Sequence, residues 1–464
     1  MDFPLTIIEP GIGQWRSADI DADELPSDLR FHDDIAFSTL DAIFDARVTR
    51  VDNALDMAFL DLGENRAGVL NFRRARLLVK GQANTIGDCV TEGQMVRVQV
   101  VSEPSALEDK ALPVTPRPRL TGRYVVAEAG SPRLNLSKDL TARRSKELKE
   151  LIAPFVKDAA LIIRSRAQDI PAEAVLAEAK RLQMAISTPI EKPGLVHAWT
   201  PAEKALLACP EAKTFIYVDG DSRFADIKQT AKQHWPDLHA RLLPFEGKTS
   251  AFEALGVEEA IEEALADKIT LPSGGWISIT PTPALTAVDV NMGAALKHMN
   301  AGEAKLVVNM EATLALAYHL RFQDIGGIIV VDYINMSGKG STRELMQLIE
   351  RTFKTDRVPV QHTGISAFGL VEFTRKRNGL SLRDRLLAYR SPAERTAALA
   401  LNLLRRAEKC GKEAKVGSLV LEAPKPVQNW LEINKTLLIE LEKKTSRTLV
   451  FETITTHTIN ARVN

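Results

Sequence analysis

The chain has 464 residues, of which 45% are apolar and 26% charged, and this composition excludes an intrinsically disordered protein and allows two to four domains. Sixty basic and sixty acidic residues give a net charge of zero, which excludes a generally basic surface, so any nucleic-acid contact must use local patches. Three widely spaced cysteines exclude a disulfide framework, and no apolar run is long enough to span a bilayer, so we expect a cytoplasmic protein without a membrane segment.

The predicted elements change in character along the chain. Residues 42–72 and 92–103 alternate apolar and polar residues between Asn- and Gly-containing turns, which predicts a small barrel of antiparallel strands. A Pro/Arg-rich link at residues 115–123 leads into a segment that mixes strands with helices, and from about residue 269 strands and helices follow each other as in α/β layering. The tail from about residue 392 predicts a small α+β domain.

Two apolar runs carry a carboxylate at or near their ends. Residues 328–331 have the pattern of a strand covered on both faces and deliver Asp332, while residues 284–291 deliver Asp289, with Asn291 two residues on and on the same side. If the two strands are neighbours, these oxygen ligands suit Mg²⁺. The alternative is that each aspartate caps a following helix or turn, and spacing alone leaves both interpretations open.

Several longer motifs resemble the core of the ribonuclease E/G family in order and spacing. This resemblance covers nearly the whole chain and is more specific than a single Asp-x-Asn. The motifs that carry it are LPSGGWISIT (271–280), ALTAVDVN (284–291), NMEAT (309–313), FQDIGGIIVVDYINM (322–336) and ISAFGLVEFTRKR (365–377).

By that resemblance the chain is an α/β multidomain protein. It implies RNase H-like and DNase I-like subdomains, an inserted OB-type β-barrel (the S1 domain), an α+β sensor subdomain and a small C-terminal α+β domain. The implied boundaries are 1–41 and 214–264 for the RNase H-like subdomain, 42–118 for the S1 domain, 119–213 for the 5′-sensor, 265–390 for the DNase I-like catalytic subdomain and 391–464 for the C-terminal domain.

The activity implied by the resemblance is Mg²⁺-dependent endonucleolytic cleavage of single-stranded RNA, leaving a 5′-phosphate and a 3′-hydroxyl; the choice between Mg²⁺ and Mn²⁺ stays open. Asp289 and Asp332 match the aspartates that hold the metal in the family, and Asn291 matches the asparagine that supports them. In such a site water, activated by the metal, is the nucleophile, so no side-chain nucleophile is required.

The resemblance also implies a pocket for a 5′-monophosphate. Gly122 and Val126 match its floor, and Arg164 and Ser165 match its phosphate clamp, for which an arginine is suited because its guanidinium pairs bidentately with phosphate oxygens. A solvated charge at a strand end is the alternative for Arg164. Pro359 stands where the family commonly has a further basic residue of the sensor, so we expect monophosphate sensing to be weak or lost.

Further residues are predicted to contact RNA. Phe59 matches an aromatic position on which a base could stack, although it could equally be barrel core, and the second aromatic position is Val69. The basic run 374–385 predicts phosphate contacts, a solvated face being the alternative, as it is for Lys110. The predicted RNA-binding residues are Phe59, Lys110, Lys297, Arg375, Lys376 and Arg377.

Two other departures from the family pattern affect the prediction. The loop after Asn291 retains only Lys297 and His298 as basic or titratable groups. The family's Cys-Pro-x-Cys zinc link is missing near residues 390–395, so we expect no zinc, and a homodimer would form without that link.

Two functions therefore stay open. Retention of Asp289, Asn291 and Asp332 favours an active Mg²⁺-dependent endoribonuclease. Val69, Pro359 and the altered loop favour a non-catalytic RNA-binding or scaffold protein that retains the fold. A metal-dependent phosphatase acting on small molecules would explain the carboxylates but not the barrel.

Overall fold

The computed structural model describes residues 3–34, 38–63, 67–102, 111–210, 214–247, 249–282, 284–295, 300–336, 338–366, 368–377, 380–386, 392–413, 417–454 and 459–464. The chain folds into two compact units, the first formed by residues 1–17, 31–246 and 390–464 and the second by residues 18–30 and 247–389. Among the described helices, none has the length and apolar character needed to cross a membrane.

A closed β-barrel follows the first three strands of the chain. Five strands hydrogen-bond in the order β4-β5-β6-β8-β7, and β7 pairs back with β4, which closes the barrel. Its interior holds the alternate apolar side chains of each strand, as the sequence pattern predicts. The bounds are β1 Leu5–Glu9, β2 Gln14–Ile20, β3 Pro26–Asp33, β4 Ile43–Asp52, β5 Met57–Asp61, β6 Gly68–Asn71, α1 Phe72–Ala75, β7 Met95–Val100 and β8 Leu112–Thr115.

The region after the barrel has an α+β architecture. Four strands form a sheet in the order β11-β12-β10-β9, on which α3 packs through Val175, Ala179 and Leu182. Strand β13 returns to the barrel and pairs with β4. The bounds are β9 Arg119–Thr121, β10 Val125–Ala129, β11 Arg133–Leu136, α2 Ala142–Ile152, β12 Ala159–Ile163, α3 Ala172–Ser187, β13 Gly194–His197 and α4 Pro201–Ala208.

The first three strands and the segment that follows α4 meet in one sheet. Its strand order is β15-β14-β1-β2-β3, and β14 pairs in parallel with both β1 and β15. The tip of the β2–β3 hairpin, residues 18–30, belongs to the second unit. The bounds are β14 Ile216–Val218, α5 Asp221–His234, α6 Pro236–His239 and β15 Leu242–Pro244.

The second unit is built on a mixed six-stranded sheet with strand order β16-β17-β18-β19-β21-β20. Helices α9 and α10 cover one face, where they pack on the inward side chains of β18, β19 and β21. The bounds are α7 Ala251–Ala254, α8 Val257–Leu265, β16 Ile269–Thr270, β17 Trp276–Pro281, β18 Thr286–Asn291, α9 Ala301–Phe322, β19 Gly327–Asp332, α10 Lys339–Phe353, β20 Val360–His362, β21 Leu370–Arg375 and α11 Leu382–Leu386.

Strand β19 corrects one sequence-based expectation. The apolar run predicts a strand covered on both faces, but only Ile329 and Val331 are buried, whereas the Ile328 side chain is 49% exposed. The helices pack on a single face of the sheet, so apolar residues also occur on the face that the second unit leaves open. Asp332 ends the strand, as predicted, and lies on this open face.

The C-terminal region has α+β secondary structure and is part of the first unit. Strand β22 lies between β23 and β24, and helix α12 packs on this three-stranded sheet through an apolar core that includes Leu404 and Leu421. The bounds are α12 Pro392–Glu413, β22 Leu419–Ala423, α13 Lys425–Ile433, α14 Lys435–Thr445, β23 Leu449–Thr453 and β24 Asn460–Val463.

Candidate functional site

Asp289 and Asp332 are direct neighbours on adjacent strands of the second unit. Strands β18 and β19 pair in parallel, and the register places Asp289 opposite Asp332. The alternation of buried and exposed residues along both strands directs both carboxylates to the open face of the sheet. Because neighbouring strands lie about 4.8 Å apart, the two carboxylates are within reach of one ion.

Neither carboxylate has a hydrogen-bond or ion-pair partner in the part of the chain that the structure describes. Two like charges directly opposite each other on neighbouring strands repel, which favours a cation between them. The described residues contain no group of three or more His, Cys, Asp or Glu that could hold a metal ion. Two carboxylates, with water or substrate oxygens in the remaining positions, are a ligand set that suits Mg²⁺.

The turn after Asn291 fixes the orientation of this residue. The Asn291 Oδ1 atom accepts a hydrogen bond from the Gly293 backbone nitrogen at 3.2 Å, and the Ala294 nitrogen donates to the Gly274 carbonyl at 2.9 Å. Since its oxygen is engaged, Asn291 can offer its amide nitrogen as a donor on the exposed face. Lys297, predicted in the same loop, lies outside the described residues.

Helix α9 holds the segment that follows Asp332. The buried Asn309 amide donates to the Ile334 carbonyl at 2.8 Å and accepts from the Ile334 nitrogen at 3.0 Å. The Thr313 hydroxyl lies 2.9 Å from the Tyr333 hydroxyl, and burial raises the pKa of Tyr333 above its ordinary value, which keeps the phenol neutral. Asn309 and Thr313 of the NMEAT motif thus hold Ile334 and Tyr333, which directly follow Asp332. The sequence motif alone did not indicate this role.

The four predicted sensor residues lie on neighbouring segments of the first unit. The Arg164 guanidinium donates to the Gly122 carbonyl at 2.8 Å, and the Arg164 nitrogen donates to the Tyr124 carbonyl at 2.8 Å. Val126 is buried in β10, and Ser165 begins a short 3₁₀ helix directly after Arg164. The half-buried Arg164 is therefore oriented by the loop that precedes β10, and the arrangement does not support a freely solvated charge.

Glu178, which was not predicted from the sequence, fixes the backbone of this loop by hydrogen bonds. Its carboxylate accepts hydrogen bonds from the backbone nitrogens of Arg123 (3.0 Å), Tyr124 (2.6 Å) and Val125 (2.8 Å) and from Trp235 Nε1 (2.7 Å). A Cβ atom at Gly122 would lie 2.7 Å from the Glu178 Cδ, so only glycine fits there. An acidic residue on the apolar face of α3, between Val175 and Leu182, was the sequence pattern that could have revealed it.

Phe59 lies on the outer face of the barrel, which resolves the alternative that it is barrel core. Its neighbours Ala58 and Leu60 are fully buried, whereas Phe59 is half-buried, pairs with Val69 across the strands and has the Arg50 guanidinium carbon 4.3 Å from its ring centroid. An aromatic ring with a basic neighbour on an open barrel face is compatible with base stacking. Lys110 lies outside the described residues.

The three predicted basic residues at the end of β21 differ in their surroundings. Arg375 is buried, and its guanidinium pairs with Asp356 and Asp324, each at 3.0 Å, so we assign it a structural role and no RNA contact. The sequence interpretation treated the run as a uniformly exposed patch and missed the alternation that turns Arg375 inward. Lys376 and Arg377 are exposed, as the prediction requires.

The comparisons with known proteins agree with this architecture. The model of the ribonuclease E/G family matches residues 119–378. Ribonuclease G of Escherichia coli strain K12 is 30% identical over 359 residues, which cover 73% of each chain. The chain belongs to the ribonuclease E/G family. Among other family members, ribonuclease E of Haemophilus influenzae is 31% identical over 74% of this chain and 38% of its own, and ribonuclease E of Synechocystis is 30% identical over 72% and 52%.

Proposed function

We propose that the protein is a Mg²⁺-dependent endoribonuclease that cleaves single-stranded RNA and leaves a 5′-phosphate and a 3′-hydroxyl. Membership of the ribonuclease E/G family supports an endoribonuclease. The observation that carries the proposal for this chain is the register that sets Asp289 directly opposite Asp332, both exposed and both without a partner among the described residues.

In this proposal each polar residue of the site has a separate task. Asp289 and Asp332 hold the metal, and the Asn291 amide, oriented by its own turn, donates a hydrogen bond to a water molecule or a phosphate oxygen. Mg²⁺, when bound, supplies an activated water and neutralises charge on the scissile phosphate. Asn309 keeps the Asp332 carboxylate in place by fixing the backbone that leaves β19.

The same proposal assigns roles to the other regions. The barrel, residues 42–118, is the S1 RNA-binding domain, and residues 119–213 are the 5′-sensor subdomain, in which Arg164 and Ser165 face the phosphate. Residues 265–390 are the DNase I-like catalytic subdomain, and the RNase H-like subdomain is formed by residues 1–41 and 214–264. The protein would act in the cytoplasm, and a homodimer would form without a zinc link.

The test is cleavage of a fluorescent, AU-containing single-stranded RNA with a 5′-monophosphate, in Mg²⁺, Mn²⁺ or EDTA. We expect Asp289→Asn and Asp332→Asn to lower kcat/KM on the order of 100-fold or more, because each removes a charged metal ligand. The matched control is Glu344→Gln on α10, which removes an exposed carboxylate outside the site. Far-ultraviolet circular dichroism checks that all variants are folded.

Metal binding is read separately from activity. Titration calorimetry with Mn²⁺ should show one site in the wild-type protein and in Glu344→Gln, and its loss in the two aspartate variants. RNA that is bound but never cleaved, with either metal, would contradict the proposal and favour the scaffold function. The same RNA with a 5′-hydroxyl tests whether monophosphate sensing is lost with Pro359. If it is lost, the 5′-hydroxyl RNA and the 5′-monophosphate RNA are cleaved at similar rates.

A further inference from the structure

An aromatic side chain beside the carboxylate pair is almost fully exposed. The Phe368 side chain is 84% exposed, the largest value for any large apolar residue among those described. Burying a phenylalanine contributes roughly 1.5–3 kcal/mol to folding, and Phe368 contributes almost none of this. Core packing therefore does not account for a phenylalanine at this position.

The strand register places Phe368 next to the proposed metal site. Leu370 begins β21 directly opposite Asp332, which in turn is opposite Asp289. Phe368 precedes Leu370 by two residues and so lies just beyond the same end of the sheet. A nucleotide whose phosphate reached the two carboxylates would have its base within reach of this ring, because neighbouring strands lie about 4.8 Å apart and two residues of extended chain add at most about 7 Å.

The turn that carries Phe368 is held in place by hydrogen bonds. The Ser366 hydroxyl accepts from the Phe368 nitrogen at 3.3 Å and from the Leu370 nitrogen at 3.2 Å, and the Gly369 nitrogen donates to the Ser366 carbonyl at 3.0 Å. Gly369 has a φ of +86°, and a Cβ atom there would lie 2.7 Å from the Asn335 Oδ1. Gly369 therefore packs closely against Asn335, in the segment that leaves Asp332.

The aromatic residue on the other side of the site is less accessible. Trp276 pairs with Asn291 in the register of β17 and β18, is half-buried, and has the Lys268 Nζ atom 4.5 Å from its ring centroid. Among the described residues Phe368 has no such cation over its ring. A free aromatic face is suited to an unpaired nucleobase, since any unpaired base can stack on it, whereas a base inside a duplex is already stacked between its neighbours.

We propose that Phe368 stacks on a nucleobase adjacent to the phosphate held at Asp289 and Asp332, and that it is a positioning residue that selects unpaired RNA. This inference rests on the proposed endoribonuclease function. It adds a substrate contact from the catalytic unit itself, separate from the barrel residue Phe59.

The kinetic test compares Phe368→Ala and Phe368→Trp with the wild-type protein on a single-stranded RNA cut at one position. We expect Phe368→Ala to lower kcat/KM roughly 10-fold or more and Phe368→Trp to retain activity, because stacking needs an aromatic ring of any kind. Leu314→Ala, which removes another exposed apolar side chain of the same unit, is the matched control and should cleave like the wild type.

Abasic RNAs distinguish stacking from a general effect. Replacing each nucleotide near the cut with an abasic site should reveal one position at which wild-type cleavage falls by the same factor and Phe368→Ala has no further effect. If the two effects multiply at every position, the proposed contact does not exist.

A binding measurement keeps the inference testable if no cleavage occurs. A short RNA with 2-aminopurine, scanned along the strand, is titrated in Mg²⁺ with the wild-type protein and with Phe368→Ala. Quenching that depends on Phe368 supports stacking even if the proposed catalysis fails. Equal quenching overturns it, and a changed sedimentation coefficient for Phe368→Ala with unchanged RNA cleavage would instead assign the ring to a protein contact.

Discussion

Two basic residues adjacent in sequence at the end of β21 have opposite surroundings. Arg375 is turned into the second unit and pairs with Asp356 and Asp324, whereas Lys376 is exposed. Charge alone does not distinguish them in the sequence. Successive side chains of a strand point to opposite faces, so the two residues can be told apart once it is known which face of β21 is covered.

We expect Arg375→Ala to lower the free energy of unfolding by about 3–5 kcal/mol, because it leaves the largely buried Asp356 carboxylate without its partner. Urea denaturation measures the change. Lys376→Ala is the matched control and should change stability by less than about 0.5 kcal/mol. Similar stabilities for the two variants would mean that Arg375 is not a structural residue.

His319 on α9 should make stability depend on pH. Its side chain is only 3% exposed, and burial, with a smaller contribution from the Arg383 charge, lowers its pKa to about 4. Above pH 6.5 the histidine is neutral in both folded and unfolded protein. As the pH falls from 6.5 towards 4 the unfolded chain takes up a proton that the folded protein does not, so stability should fall by up to about 3 kcal/mol.

The comparison for His319 is His319→Gln, which cannot titrate. Denaturation at pH 7.5 gives the packing cost of the substitution alone, and the difference between pH 7.5 and 4.5 gives the contribution of the proton. We expect the wild-type protein to lose more stability than the variant over this interval. Parallel curves for the two proteins would assign the acid sensitivity to other groups.

At the scale of elements, helix α3 supports the loop that carries the predicted phosphate pocket. Its residue Glu178 accepts three backbone hydrogen bonds from residues 123–125. Glu178→Gln places an amide NH₂ group where an acceptor is needed, and we expect a loss of about 2–3 kcal/mol of stability and weaker inhibition by a short 5′-monophosphorylated oligonucleotide.

Glu173 provides the control on the same helix. It is exposed in the first turn of α3, so Glu173→Gln should leave both readouts close to the wild-type values. Thermal unfolding and inhibition by a short 5′-monophosphorylated oligonucleotide measure them. A stable Glu178→Gln protein with unchanged inhibition would show that the loop does not depend on this carboxylate.

Strand β19 shows where element prediction from sequence stops. Its position, its length and the carboxylate at its end follow from the glycines and the apolar run. The exposure of Ile328 does not, because an apolar run has no internal alternation to indicate which residues face the helices. Whether a strand is covered once or twice depends on which helices pack on it, and these are distant in sequence.

At the scale of the whole molecule, local pattern predicts much of the fold. The barrel, the layered second unit and the α+β character of the C-terminal region all follow from periodicity and the positions of turns, and the two metal-binding candidates follow from strand ends. That the two aspartates are neighbours could not be predicted locally. It depends on the register between two strands that α9 separates in sequence. Glu178 and Asn309 were missed for a related reason, since each acts on backbone groups far away in sequence.

The zero net charge has a consequence for RNA binding at this scale. Without a generally positive surface, affinity must come from a few local contacts, so its dependence on salt should reflect only those contacts. Lys376 and Arg377, both exposed, are predicted to be such contacts, whereas Arg375 is buried.

Because β18 pairs in parallel with β19, the backbone hydrogen bonds between the two strands set the distance between the two aspartates. A single residue inserted into β18 ahead of Asp289 would turn that carboxylate towards the helix-covered face. The site would then be lost although the chain still contains all of its residues. Within such a sheet, the site is therefore more vulnerable to an insertion of one codon than to many substitutions around it.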